Sequence, residues 1–503
     1  MKGKKFSFIL LASISLVIAL GISIGIPFIH LAMTAIRDQN SIQPELPGYA
    51  NDVSRLNALP IHEIWSVPDS PSDAERQLSE LMRKAKTENI RVSIAGARHS
   101  MGGHVIAQDG IVINMLPFND MSLSADGTIL TVQAGALWAD VLLFLNNHDR
   151  SVTIMQSDNS FSVGGSLSVN VHGWQTKHPP ISSSVKSFRI LMADGNIVQC
   201  SREENAELFS LALGGYGLFG VILDAQLWTV PNEWYEAERF SISVDRFADS
   251  FLEYVDGDET VELAYGRLRV TEDSFLEEAI LTVYRKTPHV EPFPVLSASF
   301  VDSLKRIIFR GSVGSDYGKE LRWDLEKIFG EKLGSEFISR NQLLNGDVSL
   351  YTNRAENQTD IIHEYFIPLD QLQGFIAAAK EIISRHEVDL LNVTLRDVRI
   401  DTETFLRYAD QDLVAVVMLF NQQRTELAET SMTGMTRELI NASFSAGGRY
   451  YLPYRPHATP EQFLQAYPQA TKFSQLKRLY DSNGIFSNQF YTRYLSHLDE
   501  DYR

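Results

Sequence analysis

The chain contains two glycine-containing bends whose residue types suit anion binding. The first, Gly96-Ala-Arg-His-Ser100, follows the apolar residues of a predicted buried strand, Arg91–Ala95. The second, Ser162-Val-Gly-Gly-Ser166, leads into Val171-His-Gly173. Glycine permits positive φ and lets main-chain N–H groups approach an anion closely. One such bend is typical of an ordinary turn, whereas two together suggest a shared binding site.

The composition restricts the class of protein. At 503 residues, the chain exceeds a single comfortable core, which predicts at least two domains. Its formal net charge of −18 argues against a nucleic-acid surface, which needs clustered Lys and Arg. The single cysteine, Cys200, allows no intramolecular disulfide and no Cys-rich metal centre, and we expect no metal site.

The N-terminus predicts a membrane anchor over residues 1–35. Three of the first five residues are lysines, and the apolar run Phe6–Ile29 follows, with no charged residue before Arg37. This run exceeds the ~20 residues that span a bilayer and the ~7–15 apolar residues of a signal peptide. Because the basic end stays in the cytoplasm, we expect the catalytic body on the extracytoplasmic side. Cleavage as a signal peptide is the alternative, and it predicts a secreted or periplasmic product.

The remaining chain divides by its pattern of elements. Residues 36–60 are polar and rich in proline, which is typical of a linker. Short strands alternate with helices over residues 61–231, where Ser72-x-x-Glu75 predicts a capping box, and this alternation indicates an α+β domain. The pattern of residues 232–445 predicts a second domain with a mixed sheet covered by helices. Residues 446–503 form a turn-rich closing segment.

Four blocks of sequence resemble, in order and spacing, the FAD-binding domain of the vanillyl-alcohol oxidase / p-cresol methylhydroxylase (PCMH) superfamily. The blocks are Ala95–Ser100, Ser162–Gly173, Leu213–Ile222 and Asp481–Asn488. The pattern is most similar to the sugar oxidoreductases of that superfamily, namely aldonolactone and alditol oxidases and decaprenylphosphoryl-ribose oxidase. Gly447-Gly-Arg-Tyr-Tyr-Leu452 is similar to the C-terminal Gly-Gly-Arg segment of this group.

The resemblance implies an α+β fold. It implies a two-subdomain FAD-binding PCMH-type domain over residues 61–231 and a substrate (cap) domain of sheet and helices over residues 232–445. The C-terminal segment 446–503 would return to the FAD domain, and one N-terminal transmembrane helix would precede the whole. Main-chain N–H groups of Gly96–Ser100 and Val163–Ser166 would satisfy the FAD diphosphate. The implied cofactor-binding residues are Ala95, Gly96, Ala97, Arg98, His99, Ser100, Ser162, Val163, Gly164, Gly165, Ser166, Ser168, His172, Gly173, Gly220, Val221, Ile222 and Asn488.

Two histidines are singled out by the resemblance. In covalent members of the superfamily, the histidine of the first bend bonds to the flavin 8α-methyl carbon, which implies a covalent link through His99. The alternative is that His99 only hydrogen-bonds the cofactor or caps the loop. Arg98 stands where the family motif has glycine, and its charge would pair with the diphosphate. His172 would lie near the reactive face of the flavin, or would be a structural histidine.

The catalytic residues follow from the chemistry of alcohol oxidation. This reaction needs a carbinol hydrogen directed at flavin N5 and a group that shares the hydroxyl proton. The resemblance implies Glu364 for the proton and Arg399 as its cationic partner, with the alternative that both are solvated or mutually paired surface charges.

The C-terminal segment departs from the family pattern. The family lysine that follows the Gly-Gly-Arg motif is replaced by Tyr451-Leu-Pro-Tyr454. We expect Tyr451 and Tyr454 to line the pocket, and Tyr454, Arg455 or His457 to take the place of the lysine.

These observations predict an FAD-dependent oxidoreductase that transfers a hydride from the CH–OH group of a sugar, sugar acid or polyol-like substrate to flavin N5. Its expected partners are this small molecule, the membrane, and oxygen or a quinone-like carrier as electron acceptor, with no nucleic acid. An aromatic alcohol or an N-heterocyclic amine, as in cytokinin dehydrogenases, is the alternative substrate. A non-catalytic, membrane-tethered module that has lost flavin is the second alternative.

Overall fold

The computed structural model describes residues 25–39, 45–289, 291–296, 300–333 and 337–498. Most of the apolar run Phe6–Ile29 lies outside these ranges, so the predicted anchor stays a prediction. Helix α1 covers residues 25–37. Among the helices of the described ranges, none combines the length and the apolar composition that crossing a bilayer requires.

The first part of the body contains two sheets and short helices. Strands β3, β5 and β4 form a parallel sheet, and an antiparallel sheet has the order β10-β9-β11-β7-β6, with β8 paired to β11. The elements are β1 Tyr49–Ala50, β2 Leu59–Pro60, β3 Glu63–Ser66, α2 Pro71–Glu88, β4 Val92–Ala95, β5 Ile111–Asn114, β6 Met121–Leu123, β7 Ile129–Gln133, α3 Trp138–Asn146, β8 Arg150–Val152, α4 Val163–Val169, β9 Val185–Leu191, β10 Ile197–Ser201, α5 Ala206–Ala212 and β11 Val221–Pro231.

The second part is built on one eight-stranded sheet of order β15-β12-β14-β13-β17-β18-β16-β19. The elements are β12 Trp234–Ser243, α6 Phe247–Phe251, β13 Val261–Leu268, β14 Glu278–Lys286, α7 Phe300–Arg310, α8 Asp316–Leu333, β15 Phe337–Ser339, α9 Arg340–Leu344, β16 Gln358–Ile367, α10 Leu372–Ser384, β17 Asp389–Val398, β18 Leu413–Gln423, α11 Glu426–Ser445 and β19 Arg449–Tyr450. Helices α12 Pro460–Ala466 and α13 Ala470–Tyr480 follow.

Two local predictions are wrong. The eight-stranded sheet is not mixed, because every pairing among its described strands is antiparallel. Adjacent antiparallel strands need only short connections, as between β13 and β14. Helix α2 does not start with a capping box at Ser72. It starts at Pro71, after the N-cap residue Ser70, whose side chain makes no capping hydrogen bond. Proline at the first position favours this start because its ring presets the helical φ.

A buried turn after helix α13 holds the C-terminal segment against strand β4. Lys477 Nζ lies 2.5 Å from Asp481 Oδ2, and both side chains are fully buried. The Asp481 carboxylate also accepts the N–H groups of Ile485 and Phe486. The Val92 N–H donates to the Ile485 carbonyl, and Val92 and Phe486 form an isolated parallel bridge. The segment therefore extends the parallel sheet beside the first bend.

The ion pair predicts a large stability effect. Lys477→Met leaves the Asp481 carboxylate buried without its cation, which costs roughly 3–5 kcal/mol of unfolding free energy. We expect a clear fall in the thermal unfolding midpoint, followed by circular dichroism. Lys472→Met, an exposed lysine on the same helix, is the control. Equal midpoints for the two variants would contradict a structural role for the pair.

Candidate functional site

The two predicted bends are in direct contact. A Cβ atom added at Gly96 would lie 1.8 Å from Ser162 Oγ, so the backbone of the first bend rests on the first residue of the second bend. A Cβ added at Gly164 would lie 2.7 Å from the Cβ of Ala134. Glycine is therefore required at both positions by close packing of backbone against protein.

The first bend presents a row of free donors. Within the described part of the chain, none of the N–H groups from Gly96 to Ser100 donates to a protein acceptor. Arg98 has a left-handed φ of 58°, and its carbonyl accepts the Val53 N–H, so the bend is held from behind. Consecutive free N–H groups in such a turn form a concave anion-binding site. This geometry suits a diphosphate.

The second bend differs from the expectation. The Val163 N–H donates to the Ala136 carbonyl at 2.9 Å, and the Gly164 N–H donates to the Ala134 carbonyl at 2.8 Å. These two donors are therefore taken by the segment after β7 and are not available to an anion. The second bend brings a side-chain-poor surface close to the first bend, which lets a flat ligand approach the backbone.

A cleft opens between the two bends, and we refer to it as the bend cleft. Most of the predicted site residues line it: Gly96, Ala97, Arg98, His99, Ser100, Ser162, Gly164, Gly165, Ser168, His172, Gly220, Ile222, Glu364, Tyr451 and Tyr454. The predicted residues that do not line it are Ala95, Val163, Ser166, Gly173, Val221, Arg399 and Asn488.

Several motif residues outside the cleft support its wall from behind. Ser166 Oγ accepts the Trp138 indole N–H and donates to Gln156 Oε1. A Cβ at Gly173 would lie 1.9 Å from the Met155 carbonyl oxygen. Asn488 Nδ2 donates to the Tyr216 carbonyl at 2.9 Å. Motif membership alone did not distinguish these packing positions from the positions that face the cleft.

His99 is held rigidly at the cleft. Its ring stacks on Phe161 with centroids 4.2 Å apart, and its Nε2 lies 3.2 Å from the Ser160 carbonyl oxygen. Burial lowers the pKa of His99 to about 4, so the imidazole is neutral at neutral pH. Because a carbonyl only accepts hydrogen bonds, Nε2 carries the proton and Nδ1 keeps its lone pair. The neighbouring Arg98 guanidinium pairs with Glu45 at 3.0 Å.

Three of the predicted catalytic residues form one buried cluster. His172 Nε2 donates to Glu364 Oε1 at 2.5 Å, and the Tyr454 hydroxyl donates to Glu364 Oε2 at 3.0 Å. These residues come from the loop after α4, from strand β16 and from the C-terminal segment. Tyr451 packs edge-on against Tyr454 and donates to the Val169 carbonyl. The cluster therefore joins the first domain, the sheet and the C-terminal segment.

The cluster favours an ionised carboxylate. Burial by itself would raise the pKa of Glu364, but the charge of His172 and its hydrogen bond oppose this. Arg396 and the Tyr454 hydroxyl add to the opposing effect, and the pKa of Glu364 is held below its ordinary value. Burial and the Glu364 charge raise the pKa of Tyr454 well above its ordinary value. The carboxylate is thus the acceptor and the phenol the donor at neutral pH.

The structure does not bring Arg399 to this cluster. Its guanidinium pairs with Asp256, Asp397 and Asp412 outside the cleft. Arg396 lines the cleft instead of Arg399, and its Nη2 donates to Ser157 Oγ at 3.0 Å.

Strand geometry explains this difference. Arg396 and Arg399 are an odd number of positions apart, so they point to opposite sides of an extended chain. Strand alternation was the signal that could have identified Arg396.

The other candidates for the missing lysine have separate partners. Arg455 and His457 both bind the Glu429 carboxylate, and the His457 Nε2 lies 2.9 Å from Glu429 Oε1. Neither lines the bend cleft. Tyr454 is therefore the residue that the structure places next to Glu364.

A second cavity of about 710 Å³ continues from the bend cleft, and we refer to it as the sheet cavity. Alternate residues of four neighbouring strands form its floor: Tyr265 and Arg267 on β13, Asp360 and Ile362 on β16, Asn392, Thr394 and Arg396 on β17, and Val417 and Leu419 on β18. Trp174, Phe309 and Tyr351 form aromatic walls. The cavity thus combines charged, polar and aromatic groups.

Asp158 lies where the two cavities meet, and the sequence analysis did not single it out. Burial raises the pKa of Asp158 to about 6, against the opposing charge of Arg396. The loop that carries Asp158 is fixed by the Asn159 N–H, which donates to the Gly346 carbonyl at 2.7 Å. A carboxyl that titrates near neutral pH therefore faces Arg396 at this junction.

Comparison with known proteins assigns the cofactor. Residues 71–201 match the family described as "FAD binding domain". L-gulonolactone oxidase of Bos taurus is 28% identical over 181 residues, which are 36% of this chain and 41% of that protein. Cytokinin dehydrogenase 2 of Arabidopsis thaliana is 32% identical over 161 residues, 32% of each chain. Cytokinin dehydrogenase 4 of the same plant is 35% identical over 229 residues, 40% of this chain and 44% of that protein.

These matches confirm the predicted resemblance to the vanillyl-alcohol oxidase / PCMH superfamily in the FAD-binding domain, and FAD is the cofactor. The chain spans less than half the length of each of these relatives. The bend cleft fits FAD, because the free N–H row of Gly96–Ser100 suits its diphosphate. Ser100 Oγ is buried at this bend and has no hydrogen-bond partner among the described residues.

Proposed function

We propose that this protein is an FAD-dependent oxidoreductase that takes a hydride from the CH–OH group of a sugar, sugar acid or polyol-like substrate. FAD, when bound, would supply the hydride acceptor, and oxygen or a membrane carrier would serve as its electron acceptor. The single observation that carries the proposal is the Glu364 cluster, which lines the bend cleft, and this cleft shares lining residues with the sheet cavity. A carboxylate in this position is able to share the proton of a substrate hydroxyl.

The residues of the cluster take distinct roles. Glu364 accepts the hydrogen bond of the substrate hydroxyl, and His172 and Tyr454 fix the carboxylate from both of its oxygens. Arg396, which lines both cavities, stabilises negative charge on the substrate oxygen as its proton leaves. This assignment replaces Arg399, whose charge is neutralised by three aspartates.

The floor of the sheet cavity supports a polyhydroxylated substrate. Arg267, Asn392 and Thr394 present donors and acceptors on one face of the sheet. The aromatic walls of Trp174, Phe309 and Tyr351 support the alternative, an aromatic alcohol or an N-heterocyclic amine. Relatives of both kinds match at similar identity, the oxidase of a sugar lactone and the cytokinin dehydrogenases.

Direct reduction of the flavin distinguishes the two substrate classes. We expect polyols, aldonolactones or sugar acids to bleach the oxidised-flavin band near ~450 nm in anaerobic stopped-flow mixing of the holoprotein. Aromatic alcohols and N-heterocyclic amines at equal concentration are the comparison. Bleaching by the amines alone would establish the alternative, and bleaching by neither class would contradict hydride transfer from these donors.

Glu364→Gln keeps the size of the side chain and removes the carboxylate. We expect the rate of flavin reduction by substrate to fall about 10²–10⁴-fold, the range for loss of a general base, while reoxidation of reduced flavin changes little. Rapid-reaction absorbance measures both half-reactions. The control is Asp370→Asn, which changes an exposed carboxylate beside the same sheet. An unchanged reductive half-reaction in Glu364→Gln would remove Glu364 from the chemistry.

We also propose that His99 bonds covalently to FAD. The neutral ring, held between Phe161 and the Ser160 carbonyl, would supply its Nδ1 lone pair for this bond. The 8α-methyl group would lose a proton, and the two electrons left on the flavin would pass to its electron acceptor. We expect flavin fluorescence to stay with acid-precipitated protein and to move to the supernatant in His99→Ala. His104→Ala changes another histidine that lines the bend cleft and should keep the bound flavin. Pellet fluorescence in His99→Ala would place the link elsewhere.

We propose that the apolar run Phe6–Ile29 tethers the protein to a membrane, with its catalytic body on the extracytoplasmic side. The support is the length of the run and the lysines that precede it. A membrane tether favours a quinone-like carrier as electron acceptor, because such a carrier diffuses within the bilayer.

A further inference from the structure

Helix α1 exposes an apolar stripe. Its members are spaced three, four and three residues apart, which is the spacing of one helix face. They are Ile26, Ile29, Met33 and Ile36, with exposed fractions of 47%, 58%, 47% and 69%. The side that faces the protein is different, since Thr34 is buried and His30 Nε2 lies 2.9 Å from the Gly311 carbonyl oxygen. A helix that borders water carries polar residues on its outer face.

Helix α1 is fixed firmly to the cap helices. Asp38, just after α1, receives two hydrogen bonds from Arg306, with Nε–Oδ2 at 2.6 Å and Nη2–Oδ1 at 2.7 Å. Arg306 also donates to the Thr352 carbonyl at 3.0 Å, and Thr352 lines the sheet cavity. His30 meets Tyr317 edge-on at 5.2 Å. The stripe therefore has a set orientation relative to the sheet cavity.

The sequence that precedes the stripe indicates what covers it. No Asp, Glu, Lys or Arg occurs from Phe6 to Ile36, and this stretch exceeds the ~20 residues that a bilayer core accommodates. The surplus at its C-terminal end is helix α1. Tyr317, which is 42% exposed beside α1, is a residue type enriched at membrane–water interfaces.

We propose that the stripe Ile26–Ile29–Met33–Ile36 lies in the boundary region of a lipid bilayer and docks the cap domain on the membrane. The inference rests on the proposed membrane tether and adds a second contact to it. The contact holds the Thr352 wall of the sheet cavity at a fixed distance from the lipid, because Arg306 binds both Asp38 and that wall. An anchor without this contact would leave the body free to reorient.

Site-specific labelling tests the docking. The single cysteine, Cys200, is buried, and burial raises the pKa of its thiol to about 12, so it reacts slowly. Ile29→Cys and Ile36→Cys accept an environment-sensitive NBD label in the full-length holoprotein. The matched control is Leu479→Cys, which replaces a leucine 73% exposed on helix α13.

In vesicles of phosphatidylcholine and phosphatidylglycerol, we expect NBD emission at positions 29 and 36 to rise several-fold and to be quenched by spin-labelled lipid. The label at 479 should keep the emission that it shows in water. Flotation of the same samples reports the tether independently. Floating protein with water-like labels at 29 and 36 overturns the docking and leaves the tether intact. Absence of flotation overturns both the docking and the tether. Self-quenching between labels shows that a second copy of this chain, and not lipid, covers the stripe.

Discussion

The close approach of Gly96 to Ser162 is the contact on which the rest of the site depends. It places a row of free N–H donors, Gly96–Ser100, beside a bend in which the Val163 and Gly164 N–H groups already donate to Ala136 and Ala134. One bend thus binds charge, and the other supplies a flat surface. An anionic dinucleotide needs both features, because its diphosphate must be compensated while its rings must lie against backbone.

The C-terminal segment supports this arrangement from two sides. The buried Lys477–Asp481 pair holds residues 485–486 against strand β4, directly before the first bend. Further upstream, Tyr454 reaches the Glu364 carboxylate from the same segment. The Met101 N–H also donates to the Pro453 carbonyl at 2.8 Å. One short stretch of chain therefore joins the cofactor bend to the proposed catalytic carboxylate, and a shift in it would disturb both.

Charge placement in the sheet separates binding from scaffolding. Arg396 faces the cavities and lowers the pKa of Glu364, whereas Arg399, directly after the same strand, pairs with three aspartates. A similar division holds at the C-terminus, where Arg455 and His457 bind Glu429 and Tyr454 binds Glu364. In both cases the residue that reaches the cleft is accompanied by neighbours whose charges are compensated within the protein.

The sequence by itself identified the cofactor, through the resemblance of its four blocks to a known family, and it located the two bends, because glycine-containing turns are local properties of the chain. Glu364 was predicted through the same resemblance. Tertiary structure decided which side chains meet. His172 and Glu364 lie 192 positions apart, and their contact depends on how the sheet packs on the first domain. The choice of Arg396 over Arg399 likewise depends on which face of β17 is turned to the cavity. The local sequence pattern indicates the alternation of side chains along a strand, whereas only the packing of the folded chain decides which of its two faces borders the site.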